Sequence, residues 1–306
     1  MTARLAVTLG DPRGIGPEIA ADALRGLDGV EVTAIGAVDQ LDAVAAARRV
    51  GVGRWDAGPG DDGDATRARR AGLVAGRAVE AAVRLALAGE VDAIVTGPAE
   101  KRALHLAGFP YPGHTEWLAQ LAGDVDVAMM LAADRLRVVL VTTHVALRDV
   151  PALLTRDRIV RTAATTRAAL RDWFGLAEPR LALCALNPHA GEQGLFGDEE
   201  ERVLRPAAMQ AGLSGPWPAD TVFVRAMRGD FDAVLAPYHD VGMTAIKVAA
   251  FGEGVNVTLG LPFPRTSPDH GTAFDIAGRG VASSASMRRA IELAARLGAA
   301  RRVARA

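Results

Sequence analysis

Short apolar runs alternate with helix-patterned segments along this chain, and that alternation constrains the fold more than any other feature. Strand-like runs lie at 5–9, 32–38, 93–96, 127–131, 136–141, 181–186, 233–236 and 255–259. Helical spacing is read from Pro17, over 67–88, 99–107 and from about His114, then over 156–173, 199–211 and 286–297. Parallel neighbours in a sheet need long crossovers, usually helical, so the pattern predicts an α/β fold with a largely parallel sheet. A chain of 306 residues can bury a large core and divide in two. Residues 1–124 and 270–306 are expected to form a first domain, and 125–269 a second. The Gly-, Asp- and Pro-rich residues 53–66 read as a loop. No internal repeat is apparent at the level of sequence.

Composition removes several classes of function. The formal net charge is −1 and aromatic content is 5%, so nothing favours nucleic acid or a membrane surface as partner. No uninterrupted apolar stretch reaches membrane-spanning length, and residues 1–5 lack the features of a secretory signal. A cytoplasmic location is the expectation. The single cysteine, Cys184, lies in an apolar run and is expected in the core. The basic end at 301–305 reads as a solvated tail.

Three histidines follow strand-like runs. They are His144 in Thr142-Thr143-His144, His189 in Asn187-Pro188-His189-Ala190-Gly191-Glu192, and His239 in Tyr238-His239-Asp240. The C-terminal ends of strands in an open α/β sheet face the ligand crevice. Three imidazoles meeting there would form an open metal site with positions left for substrate. Singly, each histidine fits a hydrogen-bonded structural role equally well.

Other motifs surround them. Gly10-Asp11-Pro12-Arg13-Gly14-Ile15-Gly16-Pro17-Glu18 joins the first strand to the first helix, as a tight turn or a close backbone approach to a ligand. Its spacing is not that of the dinucleotide fingerprint. In Pro112-Gly113-His114-Thr115-Glu116, His114 or Thr115 could cap the following helix, whose N–H groups suit an anion. Lys101, Lys247, Asn256 and Arg265 are polar groups of the kind a phosphorylated acid requires. Residues 265–273 look too polar for a strand and are expected to be a binding loop leading into a helix.

Taken in order, these motifs resemble the 4-hydroxythreonine-4-phosphate dehydrogenase (PdxA-type) family of vitamin B6 biosynthesis. The resemblance runs through 10–18, 96–101, 113–116, 143–150, 187–194, 238–247 and 256–278. It implies a two-domain isocitrate/isopropylmalate dehydrogenase-like fold with the active cleft between the domains. It implies a homodimer whose subunits share each site. One divalent metal (zinc, with magnesium or cobalt as alternatives) is implied on His144, His189 and His239. Substrate contacts are implied for His114, Thr115, Lys247, Asn256 and Arg265, and proton transfer for Asp240 or Lys247. NAD or NADP would meet His270, Gly271, Thr272, Ala273 and Asp275. The implied reaction is oxidation and decarboxylation of 4-phosphohydroxy-L-threonine. Related 4-phospho-hydroxyacids, of the D-threonate or D-erythronate type, are alternatives. A departure sharpens that alternative: many members read His-Asp-Gln-Gly where this chain has His239-Asp240-Val241-Gly242. A metal-dependent hydrolase or aldolase would use the same histidines without a nicotinamide.

Overall fold

A computed structural model of the chain describes residues 2–55, 63–111, 113–250 and 254–305. Residues 56–62 of the expected loop, and Pro112, lie outside that set. The strands are β1 (Ala3–Thr8), β2 (Val30–Gly36), β3 (Arg48–Gly51), β4 (Ala93–Thr96), β5 (Ala128–Ala133), β6 (Leu136–Leu140), β7 (Leu181–Cys184), β8 (Ser214–Trp217), β9 (Ala233–Ala236), β10 (Val255–Leu259) and β11 (Arg265–Pro268). The chain divides into two compact units, Met1–Val125 with Leu261–Ala306, and Asp126–Gly260.

In the first unit the strand order is β3-β2-β1-β4-β11, parallel throughout. Consecutive residues of β1 and β4, such as Leu5, Ala6, Val7 and Ala93, Ile94, Val95, are fully buried. Successive side chains point to opposite faces, so both faces of these strands are covered. The helices Asp64–Leu87 and Ala285–Arg305 both pack against β1 and β4. Glycines on the first of these permit close contact: a Cβ at Gly72 would lie 2.0 Å from the Ala103 carbonyl oxygen, and one at Gly76 would lie 2.1 Å from the Phe109 ring.

The second unit orders its strands β10-β5-β6-β9-β7-β8. The pairs β10–β5 and β5–β6 are antiparallel, and the rest are parallel. Its core joins Val138 and Leu140 of β6, Val234 and Ala236 of β9, and Met243 and Ile246 of the helix His239–Ala249. A Cβ at Gly242 would lie 2.8 Å from Val138, so the helix that begins with His239 sits close on β6 and β9.

The two units repeat one plan. The parallel set β2-β1-β4-β11 has its counterpart in β8-β7-β9-β6. Arg4-Leu5-Ala6-Val7 in β1 corresponds to Arg180-Leu181-Ala182-Leu183 in β7, and Asp92-Ala93-Ile94-Val95 to Asp232-Ala233-Val234-Leu235. Each arginine ties the entrance of two strands together. Arg4 donates from its backbone N–H to Asp92 Oδ2 and from Nη2 to Oδ1, both at 2.8 Å. Arg180 makes the same two bonds to Asp232, at 2.7 and 3.0 Å. Two pairs of similar short segments at strand starts are too brief to register as a repeat in sequence; the shared hydrogen bonds reveal it. In both halves the chain leaves the first strand to one side and returns to the other. The loops after β1 and β4, and after β7 and β9, therefore flank switch points, where open α/β sheets bind ligands.

Three readings of the sequence change. Residues 265–268 are a buried strand, not a loop: Arg265 and Thr266 pair with Ile94 and Val95, which places them in the first unit. Their polar side chains are satisfied internally, as when Thr266 Oγ1 donates to the Ala290 carbonyl at 2.8 Å. The next helix starts only at Ala285. The basic C-terminal residues continue that helix, where Arg302 donates to the Thr2 carbonyl at 2.8 Å and pairs with Asp92 at 3.3 Å. None of the described helices is long and apolar enough to cross a membrane.

Candidate active site

The first unit gathers polar side chains around Arg265. This arginine is buried, and its Nε donates to Thr96 Oγ1 at 3.1 Å from the neighbouring strand. Burial pushes its pKa down to about 10. His114 begins the helix His114–Leu121, whose N-cap is Gly113 with no side-chain capping bond. Neither His114 nor Thr115 is spent on the cap, contrary to one reading of the sequence. The turn rests on Trp117, which is 1% exposed and stacks with Tyr111 at 5.4 Å. His114 Nε2 is buried without a hydrogen-bond partner.

Loss of water around His114 pushes its pKa down to about 3, and the charges of Arg265 and Lys101 push the same way. The imidazole is therefore neutral at physiological pH. An unfolded chain binds a proton near pH 6.5, which the folded chain refuses until about pH 3. Stability present at neutral pH is thus lost as pH falls through this window, by about 2 kcal/mol at pH 5. His114→Asn should remove that share of the acid sensitivity. Urea unfolding at pH 7 and pH 5 measures it, and an unchanged difference between the two would count against the neutral, buried imidazole.

The segment 270–278 lies against the loop after β1. Ile15 N–H donates to the Thr272 carbonyl at 2.9 Å, and Gly278 N–H to Glu18 Oε2 at 3.1 Å. His270 Nδ1 contacts the Gly271 carbonyl at 3.1 Å, while its Nε2 is buried and without a partner. Gly271 and Asp275 are exposed, and Thr272 and Ala273 are half-buried.

In the second unit the three histidines follow β6, β9 and β7, which are adjacent parallel strands. Thr142 Oγ1 donates to the Pro237 carbonyl at 2.7 Å, stitching the loop after β6 to the loop after β9. That contact sets the rings of His144 and His239 with centroids 5.5 Å apart. His239 Nδ1 lies 2.7 Å from Asp240 Oδ1, which orients the ring and favours Nε2 as the outward atom. His189 lies in a left-handed turn, with φ of 49°, and its ring centroid is 6.4 Å from that of Phe196. Among the described residues no group of three histidine, cysteine or carboxylate side chains is set to hold a metal. The donors fit a divalent ion chemically, but a single chain brings only two of the imidazoles together.

Lys247 is exposed on the helix that starts at His239, and Asn256 lies on β10 with its Oδ1 buried and unpartnered. Val241 packs against the core of β6 and β9, so the residue that replaces glutamine serves packing. Cys184 is buried and its thiol is pushed up to about 12 by loss of water, then by Glu200 and Asp220, which makes it inert.

Several residues of the site escaped sequence reasoning. Thr96 carries Arg265, yet it reads as the end of an apolar strand. Glu200 is 1% exposed, and its Oε1 accepts from the N–H groups of Leu186 and Asn187 at 2.9 and 2.8 Å. Its Oε2 accepts from Asn187 Nδ2 at 2.9 Å, so one buried carboxylate anchors the turn bearing His189. A glutamate in a charged helical run gives no local sign of such burial. A π-turn at Glu200–Leu204 marks the place.

Comparison with known proteins agrees with this geometry. The family described as pyridoxal phosphate biosynthetic protein PdxA matches residues 27–294. A D-threonate 4-phosphate dehydrogenase of Salmonella typhimurium is 44% identical, over 97% of this chain and 99% of that protein. A 4-hydroxythreonine-4-phosphate dehydrogenase of Desulfosudis oleivorans is 46% identical, over 95% and 94%. The crystal structure of a 4-hydroxythreonine-4-phosphate dehydrogenase from Klebsiella pneumoniae superposes with a TM-score of 0.84 at 41% identity, covering 97% of this chain and 98% of that one. An isocitrate dehydrogenase from Methylococcus capsulatus shares the fold alone, with a TM-score of 0.50 at 15% identity. With its motifs in order, its fold matched and its length covered, this chain belongs to the PdxA family of pyridoxal phosphate biosynthetic proteins.

Proposed function

We propose that this protein is a metal-dependent NAD(P) dehydrogenase that oxidises 4-phosphohydroxy-L-threonine at C3. Loss of CO2 from the resulting 3-keto acid gives 3-amino-2-oxopropyl phosphate. The observation that carries this reading is the buried Arg265 set beside His114 in the first unit. Arg265 is desolvated beside His114, whose Nε2 has no partner, with Lys101 adding positive charge. A phosphate dianion would accept charge-assisted hydrogen bonds from these groups, which offset the cost of a buried cation.

The remaining roles follow from chemistry. Thr115, Asn256 and Lys247 would hold the phosphate and carboxylate ends of the substrate. His144, His189 and His239 would hold one divalent metal; zinc suits an all-imidazole set, with magnesium or cobalt as alternatives. Such a metal, when bound, supplies Lewis acidity that lowers the pKa of a substrate hydroxyl. Asp240 or Lys247 takes the hydroxyl proton, and one of them returns a proton to carbon after CO2 leaves. His270, Gly271, Thr272, Ala273 and Asp275 would receive NAD or NADP, consistent with the unpartnered Nε2 of His270. Subunits of a homodimer would share each site, which accords with the incomplete ligand set of one chain.

A second reading, oxidation of D-threonate 4-phosphate, is favoured by the comparable identity of relatives bearing that name. The two substrates share a phosphate and an oxidisable hydroxyl. They differ at C2, amine against hydroxyl. Reduced-nicotinamide absorbance with 4-phosphohydroxy-L-threonine, D-threonate 4-phosphate and D-erythronate 4-phosphate decides between them. The highest kcat/KM is expected for the first, and no reduction with any of them would overturn the dehydrogenase reading.

A further inference from the structure

Arg13 lies in the loop after β1, and its side chain is only 12% exposed. Its backbone N–H and its Nε both donate to Asp11 Oδ1 at 3.0 Å. Its Nη2 donates to Asp11 Oδ2 at 2.7 Å and to Glu100 Oε2 at 2.6 Å. Its guanidinium carbon sits 4.8 Å from the centroid of the Phe274 ring. Glu100 follows β4 and Phe274 belongs to segment 270–278, so one side chain joins three separate stretches of chain. Burial opposes the charge of Arg13, and the bonds to Asp11 and Glu100 outweigh it, so its pKa is raised.

The backbone agrees. Asp11 N–H donates to the Pro98 carbonyl at 2.9 Å. A Cβ at Gly10 would lie 2.3 Å from the Pro98 oxygen, and one at Gly14 would lie 2.7 Å from the Thr272 oxygen. The three stretches touch through glycine, and Arg13 spans them. Segment 270–278 has no helix or strand of its own, and Ala273 adopts a φ of 43°. Its conformation must be imposed from outside. The repeat between the halves sharpens the contrast. Asp11-Pro12-Arg13 after β1 corresponds to Asn187-Pro188-His189 after β7. One half puts a satisfied cation where the other puts a candidate metal ligand.

We propose that Arg13 is a positioning residue which fixes segment 270–278 on the two switch-point loops and thereby sets affinity for the nicotinamide cofactor. The proposal rests on reading that segment as the cofactor loop. Arg13→Ala would leave the buried Asp11 carboxylate unpaired and risks the fold. Arg13→Lys keeps a charge but loses the fork, and Phe274→Leu removes only the ring under the cation. Hydrogen exchange of 270–278 in the free full-length protein reads the fixing directly. Fluorescence titration with NADH and NADPH reads affinity, with Asp275→Ala as reference for the loop itself.

Both variants are expected to speed exchange in that segment and to raise the cofactor Kd by roughly tenfold, with the cofactor KM moving more than the substrate KM. Unchanged exchange overturns the proposal. Faster exchange with an unchanged Kd also overturns it. In that event, weakened binding by Asp275→Ala shows that the cofactor reading survives, and unaltered binding by Asp275→Ala shows that the reading has failed as well.

Discussion

Replacing His189 with alanine is expected to abolish turnover and to lower bound divalent metal by more than ~100-fold in affinity, with the protein still folded. The side chain is exposed in a turn held by Glu200, so little packing is lost when it goes. Elemental analysis of the purified variant is the measurement, and unchanged metal content would sink the ligand assignment. The same residue tests the shared site. If His144 and His239, with ring centroids 5.5 Å apart, act from one chain and His189 reaches the site from the other subunit, two mixtures should behave differently. Mixing His189→Ala with His144→Ala under subunit exchange would then restore one intact site in each heterodimer. Random mixing makes about half the molecules heterodimers, so about a quarter of wild-type activity should return. Mixing His144→Ala with His239→Ala should restore nothing. Recovery in that second mixture would mean that those two ligands come from different chains. No recovery in any mixture, despite demonstrated exchange, would defeat the shared site.

Arg265→Met should separate function from stability. Burial lowers the arginine's pKa to about 10. Keeping a charge where neighbouring atoms exclude water is costly. A methionine of similar length avoids that cost, and replacing a buried charge with an apolar group is often neutral or stabilising. Tm is therefore expected to hold or rise. Without its cationic fork the pocket loses its main hold on a phosphate, and kcat/KM should fall by about 10²–10³. Thermal unfolding and steady-state kinetics on one preparation measure both. A fall in Tm that accounts for the lost activity would make Arg265 a structural residue.

Much of the fold was legible in the sequence because its signals are local. β4 and β9 stand where their apolar runs stand, since parallel strands covered on both faces tend to be apolar along their length, and β10 stands where apolar residues alternate with Asn256 and Thr258. The helix Asp64–Leu87 follows from its alanine and valine spacing, and the helix after β1 from Gly16 and Pro17. β8, with Ser214, Gly215 and Pro216, and β11, with Arg265, Thr266 and Ser267, were not legible as strands. Both are strands because their neighbours supply backbone partners, and polar side chains are tolerated where other elements satisfy them.

For the site, the order of residues settles which groups are available: three histidines after strands, a histidine at a helix start, and a glycine-rich turn. The resemblance carried by their order determined the family. Tertiary structure decided what local pattern cannot encode. It paired Arg265 with Thr96, 169 residues away, and stripped water from His114 so that its imidazole stays neutral down to about pH 3. It set His144 beside His239. It turned Arg13, an ordinary surface residue by type, into a junction of three segments. Each of these depends on which strands lie side by side, and on how far neighbouring atoms exclude water from a charge. Neither quantity is a property of any short stretch of chain.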